Sequence, residues 1–140
     1  MGSQELAEDV IRKRPLICVV EDDQPFRDSM VKLLKSLDYT VVAFQSAADF
    51  LASPLLEKTA CLVTDVQMPG MTGVELHRRL VLARQSIPTI LVTAYPDDAV
   101  RNRALNEGVV CYLSKPIDDD HLDRCLHSAL QSRKCLDQNS

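Results

Sequence analysis

Glu21, Asp22 and Asp23 follow the apolar run LICVV, Asp65 ends the run ACLVTD, Thr93 ends IPTILVT, and Lys115 follows VVCYLS. Any one of these polar residues alone would be an ordinary strand end meeting water. Their recurrence at successive apolar runs points to one shared site. Clustered carboxylates repel one another and hold their protons more tightly. A hard divalent cation resolves that conflict. Mg²⁺ takes oxygen ligands, keeps several waters, and uses one or two carboxylates together with phosphate oxygens. A carboxylate is also a nucleophile toward phosphorus, giving an aspartyl phosphate. A metal and a lysine would offset charge on a transferring phosphoryl group, and a hydroxyl would hydrogen-bond one of its oxygens. Asp65 is the natural acceptor in such a site. It is followed by Val-Gln-Met-Pro-Gly-Met-Thr-Gly, a loop stiffened by Pro69 and loosened by Gly70 and Gly73 that would shape the metal and phosphate pocket.

The elements that must carry these residues alternate in type. LICVV, YTVVAF, ACLVT, IPTILVT and VVCYLS read as strands. Between and after them lie helical patterns. In FRDSMVKLLKSL, Phe26, Met30, Leu33, Leu34 and Leu37 recur at three- and four-residue spacing. SAADFLASP has Ser46 as a predicted N-cap and Pro54 at its end, and GVELHRRLVLAR is partly periodic through Val74, Leu76, Leu80 and Ala83. DDAVRNRALNEG starts acidic and stops at Gly108, and DDDHLDRCLHSALQSRK closes the series with its acidic residues at the favourable helix N-terminus. Asp23 is expected to cap the first helix rather than bind a ligand. Continuous apolar strands alternating with helices predict a parallel sheet covered on both faces. In such sheets, ligands bind beyond the carboxyl ends of the strands.

Composition narrows the function classes. The chain has 140 residues and is 46% hydrophobic, enough for one packed domain, so its bulk should not be disordered. Aromatics are 4% with no Trp, so the core must be aliphatic. A net charge of −4 without a basic stripe argues against general nucleic-acid binding. The odd number of cysteines, five, includes no C-x-x-C pair. Cys18, Cys61 and Cys111 lie in apolar runs, as small buried hydrophobes in a reducing cytoplasm would. No membrane-span-length run or signal peptide is visible, and no direct membrane contact is expected. His77, His121 and His127 sit on helical patterns at no metal spacing and are expected to be solvated. Residues 1–14 and 134–140 read as tails around a domain at 15–133, and the opening Met-Gly-Ser matches an expression-tag remnant.

The motifs VVEDD, LVTDVQMPGMTG, ILVTAY and YLSKP, in this order and spacing, resemble the receiver domain of two-component response regulators. The similarity runs from about Leu16 to Ser132. FLASP and ACLVTDVQMPGMTGVEL are closest in wording to the nitrogen-fixation regulator branch, whose members usually carry a C-terminal helix-turn-helix. The resemblance implies a (βα)5 flavodoxin-like fold with strand order 2-1-3-4-5, an order for which a receiver is a standard example. It implies Asp65 as phosphoacceptor, Glu21, Asp22, Asp65 and the Gln67 backbone carbonyl as the Mg²⁺ set, and Lys115 and Thr93 as phosphoryl contacts. Thr93 and Tyr112 would be the switch pair. Glu21 stands where Asp is commoner, so its arm is longer. The implied donor is a sensor histidine kinase, and the implied dimer face is fourth helix, fifth strand, fifth helix. The expected role is a signalling module that catalyses only its own phosphoryl transfer and slow autodephosphorylation. The sequence following the fifth helix is too short for a DNA-binding domain, so the expectation is a stand-alone receiver or one separated from its effector.

The alternative is a Mg²⁺-dependent phosphohydrolase of the haloacid-dehalogenase type, which also uses a strand-end Asp, a Thr or Ser and a Lys. That chemistry wants a second acid two residues after the nucleophile, where this chain has Gln67. A nucleotide-binding domain is disfavoured because neither G-x-G-x-x-G nor a P-loop motif occurs.

Overall fold

A computed structural model describes residues 14–139, with side chains described through residue 131. The element order is β1 (Leu16–Val20), α1 (Gln24–Ser36), β2 (Thr40–Phe44), α2 (Ala47–Leu51), a 3-10 turn (Leu56–Lys58), β3 (Cys61–Asp65), α3 (Gly73–Leu82), β4 (Thr89–Thr93), α4 (Asp98–Asn106), β5 (Cys111–Ser114) and α5 (Asp119–Asn139). The strands form one parallel sheet in the order β2-β1-β3-β4-β5, as the resemblance implies. The expected N-terminal tail lies almost wholly outside the described residues. At the other end α5 continues to Asn139, so the segment from 134 expected as a tail is helical through that residue.

Side-chain alternation explains why the strands read as unbroken apolar runs. Ile17, Val19, Cys61, Val63, Ile90, Val92 and Leu113 point to one face, where Met30 and Leu34 of α1 and Leu122, Cys125, Leu126 and Ala129 of α5 cover them. Cys18, Val20 and Leu62 point to the other, under Ala47 and Phe50 of α2 and Leu76 and Leu80 of α3. Leu91 meets Ala104 of α4 on the same side. With both faces buried, every strand position pays a penalty for polarity except at the ends. The two edge strands are the exceptions: all residues of β2 are only partly buried, and in β5 Leu113 alone is buried.

Helix boundaries follow local chemistry. The Asp23 carboxylate accepts from the Phe26 N–H at 3.0 Å, so Asp23 caps α1 as expected. Ser46 caps α2 through the Asp49 N–H at 3.1 Å. Thr72 caps α3: its hydroxyl accepts from the Glu75 N–H and donates to the Glu75 carboxylate, both at 3.1 Å, a cap the sequence reading passed over. Gly108, at φ +103°, follows the end of α4 in the left-handed region that favours glycine.

The cysteines behave as small hydrophobes: Cys18, Cys61 and Cys125 are buried and Cys111 is half-buried. Burial, with the neighbouring Cys125 thiol, pushes the Cys111 thiol up to about 12. The Cys135 side chain lies outside the described residues. Of the histidines, His121 and His127 are exposed as expected. His77 is not: it is buried at 5% exposure, and its Nδ1 has no hydrogen-bond partner. The cause is the helix period. Gly73, Leu76, His77 and Leu80 are spaced along the buried face of α3, so position 77 goes inward whatever its chemistry.

Burial holds the His77 imidazole below its ordinary pKa, with the Glu107 carboxylate returning part of the shift. The folded state therefore binds its proton less readily than the unfolded chain, and stability is lost as pH falls below about 6.5. We expect His77→Leu to raise stability by about 1 kcal/mol near neutral pH by removing an unpartnered buried polar group. Its advantage over wild type should widen as pH falls through about 6. Urea unfolding of both proteins checks this, and parallel acid losses would show that His77 is not held neutral.

Candidate functional site

The carboxyl edge of the sheet gathers the strand-end residues. Because β1 and β3 are neighbours, Glu21 and Asp22 emerge beside Asp65, the last residue of β3. One carboxylate oxygen from each of Glu21, Asp22 and Asp65 lies within 4.8 Å of the others. Glu21 and Asp65 are buried and Asp22 is exposed. Such a set, with two acids withdrawn from water and one facing it, suits a hard cation that retains part of its water shell.

Lys115 arrives from the far end of β5 and supplies the balancing charge. Its ammonium lies 2.6 Å from Glu21 Oε1 and 3.6 Å from Asp65 Oδ1. It also sits 4.0 Å above the centroid of the Phe26 ring, a cation–π contact from the first turn of α1. The backbone N–H of Lys115 donates to the Thr93 carbonyl at 2.7 Å, which ties the lysine to the β4 end. Its peptide bond to Pro116 is cis. Glu21 is thus the closer partner of the lysine, and its second oxygen accepts from the Asp23 N–H at 3.4 Å.

One ammonium does not neutralise this cluster. Burial pushes Glu21 up from an ordinary 4.5 to about 7; the Lys115 hydrogen bond opposes the shift and the Asp65 charge adds to it. Asp65 is also raised, by burial first, with the Lys115 charge acting against it. Lys115 itself is raised: burial would lower it, but the Glu21 hydrogen bond and the two nearby carboxylates outweigh that. A divalent cation would relieve the same repulsion, so the donor set fits a Mg²⁺-type ion.

The loop after Asp65 is pinned at alternate residues. Val66 donates to the Val92 carbonyl at 2.9 Å and is buried, and Met68 is buried against the α2–α3 side of the core. Gln67, between them, is exposed. Gly70 occupies the left-handed region at φ +81°. Gly73 opens α3 directly against the strand end; its N–H donates to the Val66 carbonyl at 3.0 Å. A Cβ at Gly73 would collide with the Asp65 carbonyl oxygen. The second glycine therefore provides close approach, not looseness. It lets the helix N-terminus sit on the residue that carries the carboxylate.

The two expected switch residues are turned to other partners. Thr93 is fully buried; its hydroxyl donates to Gln67 Oε1 at 2.7 Å and accepts from the Tyr95 N–H at 2.9 Å. Tyr112 is half-buried beside the α4 side of the core, and its hydroxyl accepts from the Asp97 N–H at 3.2 Å. Asp97 is also the N-cap of α4. So Glu21, Asp22, Asp65 and Lys115 meet, whereas Thr93 and Tyr112 are engaged with the β3–α3 loop and the start of α4. The sequence reading missed Phe26 under the lysine, the close approach at Gly73 and the Gln67 side chain. Only the glycine carried a local signal, as the small residue opening a helix beside an acid.

A doubly wound parallel sheet with acids, an ammonium and a hydroxyl at its carboxyl edge defines a flavodoxin-like domain. Comparisons with known proteins narrow the class. Residues 17–127 match the response regulator receiver domain family. The chain is 37% identical over 122 residues to nodulation protein W of Bradyrhizobium diazoefficiens, covering 86% of this chain and 54% of that protein. It is 35% identical over 115 residues to the transcriptional regulatory protein FixJ of the same species, covering 82% and 56%. The solved structure of FixJ-N superposes with a TM-score of 0.75 at 32% identity, covering 84% of this chain and 94% of that one. The chain belongs to the response regulator receiver domain family, the signalling modules of two-component systems. It spans about half the length of the curated relatives it matches. No helix among the described residues is long and apolar enough to cross a membrane.

Glu21 has a raised folded pKa, so the folded chain holds its proton more tightly than the unfolded chain does. Its contribution to stability is then full below its ordinary value of 4.5 and is lost as pH rises through about 7. In EDTA this contribution should fall over that window, with Asp65 adding to the fall in the same sense and His77 opposing it. Glu21→Gln should shrink the fall. Excess Mg²⁺ should reverse it in wild type, by roughly 1.4 kcal/mol at about ten times Kd. Urea unfolding of wild type and Glu21→Gln across pH at constant ionic strength measures both effects; parallel profiles of the two proteins in EDTA would show that Glu21 is not held protonated in the fold.

Proposed function

We propose that this chain is a phosphorylation-driven switch in which Asp65 accepts a phosphoryl group from a sensor histidine kinase. The observation that carries the reading is the Asp65 carboxylate itself. It sits at a sheet edge, 3.6 Å from the Lys115 ammonium and within 4.8 Å of oxygens from Glu21 and Asp22. In the transfer, a deprotonated Asp65 oxygen attacks phosphorus. The phosphorus–nitrogen bond of the donor phosphohistidine breaks, and the imidazole leaves with the electron pair. Glu21, Asp22, Asp65 and the Gln67 backbone carbonyl would hold Mg²⁺, which when bound offsets charge on the phosphoryl oxygens. Lys115 would move from its Glu21 contact toward the new phosphoryl oxygens.

Phosphorylation adds a charge of about −1.5 to −2. Thr93 would then turn to donate to a phosphoryl oxygen, and Tyr112 would occupy the space it leaves. The surface built from α4, β5 and α5 would change with them, and that face is where a phosphorylation-dependent homodimer would form. The switching unit is taken as residues 15–133, working in the cytoplasm, where free thiols persist. Its activity is limited to its own phosphoryl transfer and autodephosphorylation. FixJ is named a transcriptional regulatory protein, which supports an output through a DNA-binding effector rather than through nucleic-acid binding by this unit.

A small phosphodonor such as acetyl phosphate, with Mg²⁺, should add a single phosphoryl mass to the intact protein. Asp65→Asn should abolish the addition. Labelling of the Asn variant at the wild-type rate would place the acceptor elsewhere.

A further inference from the structure

The hydroxyl of Thr93 has a single proton, and it is committed to Gln67 Oε1 at 2.7 Å. A hydroxyl cannot donate to Gln67 and to a phosphoryl oxygen at once. We propose that the Gln67 side chain is the latch of the resting state: it holds Thr93 away from Asp65, and every activating event must first break this bond. The proposal rests on the phosphoacceptor reading of Asp65 given above.

The surroundings make the bond a two-state element rather than a chance surface contact. Thr93 is fully buried, and a buried hydroxyl is held where both its donor and acceptor needs are met. Gln67 takes the proton and the Tyr95 N–H fills the lone pair. The backbone on either side of Gln67 cannot drift, because Val66 is bonded to Val92 and Met68 is buried. The glutamine side chain is therefore aimed from an anchored position two residues after Asp65. Turning Thr93 toward Asp65 gives up the Gln67 bond and frees the Tyr95 N–H. It thus loosens the segment that leads to Asp97, whose own N–H holds the Tyr112 hydroxyl. Loss of the latch would be felt at Tyr95, at the α4 N-terminus and at Tyr112. Gln67 is a positioning residue here: it acts through Thr93 and not on the reacting atoms.

The test is a double-mutant cycle read by beryllofluoride binding in Mg²⁺, with Mg²⁺ affinity measured alongside because the Gln67 backbone carbonyl is assigned to the metal. Gln67→Met keeps the length of the side chain and removes the acceptor. We expect it to bind beryllofluoride about fivefold more tightly than wild type, the shift that a single net hydrogen bond supports. In a Thr93→Ala background the same change should have no effect. In Thr93→Ser, which keeps the hydroxyl, the gain should return. Hydrogen exchange of the Tyr95 amide should be faster in unliganded Gln67→Met. An equal gain with and without the Thr93 hydroxyl would overturn the latch, since Gln67 would then merely obstruct access to Asp65. So would unchanged affinity in the presence of Thr93. If wild type itself neither binds beryllofluoride nor gains phosphoryl mass, the phosphoacceptor reading falls, and the latch with it.

Discussion

Repulsion among carboxylates at the carboxyl edge of the sheet is the constraint on which the site depends. Glu21 and Asp65 are buried, and Asp22 stands beside them at the surface. An arrangement of this kind is costly in a folded chain. It persists because the sheet and its two helical layers supply the stability that the edge gives up. The proton affinity of Glu21 and Asp65 is raised by their burial first, and then by the Asp65 charge on Glu21 and the Asp22 charge on Asp65. Lys115 relieves part of it and is shared among Glu21, Asp65 and the face of Phe26. The site is thus poised: a cation, a proton or an additional anion with its counter-ion each changes the balance.

The scaffold responds to that poise through few, specific links. Lys115 is joined to β4 through the Thr93 carbonyl, and Thr93 is joined to the β3–α3 loop through Gln67. Tyr112 is joined to the α4 N-cap residue. These bonds connect the ends of β3, β4 and β5 without passing through the packed core. The core itself is close-packed on both faces and has little freedom to adjust. Change at the edge is therefore expressed in loops and helix N-termini rather than in the sheet. Gly73 allows this proximity, because only a residue without Cβ fits against the Asp65 carbonyl.

His77 shows that a packing period overrides the usual expectation for a residue type. Its imidazole is carried inward by the α3 stripe and leaves Nδ1 without a partner. Neither the acidic cluster nor the strand-end residues involve it. The protein tolerates one unsatisfied buried atom there, beside Ile87 and Pro88 at the entry to β4.

The order of apolar runs and helical patterns determined the fold class, because two-sided burial demands unbroken hydrophobic strands and leaves polar residues only at their ends. The caps at Asp23 and Ser46 and the stop at Gly108 were legible for the same reason: they depend on residues within one turn. The acids, Thr93 and Lys115 were recognisable as a set from their strand-end positions. What the set does with its hydrogen bonds was not. Lys115 and Glu21 are 94 residues apart, and Thr93 and Gln67 are 26 apart. Which carboxylate grips the lysine, and which acceptor takes the threonine proton, depends on strand neighbours, rotamers and the exact height of each strand end. Periodicity says which face a residue occupies. Only the assembled sheet decides which atoms come within 3 Å of one another across it.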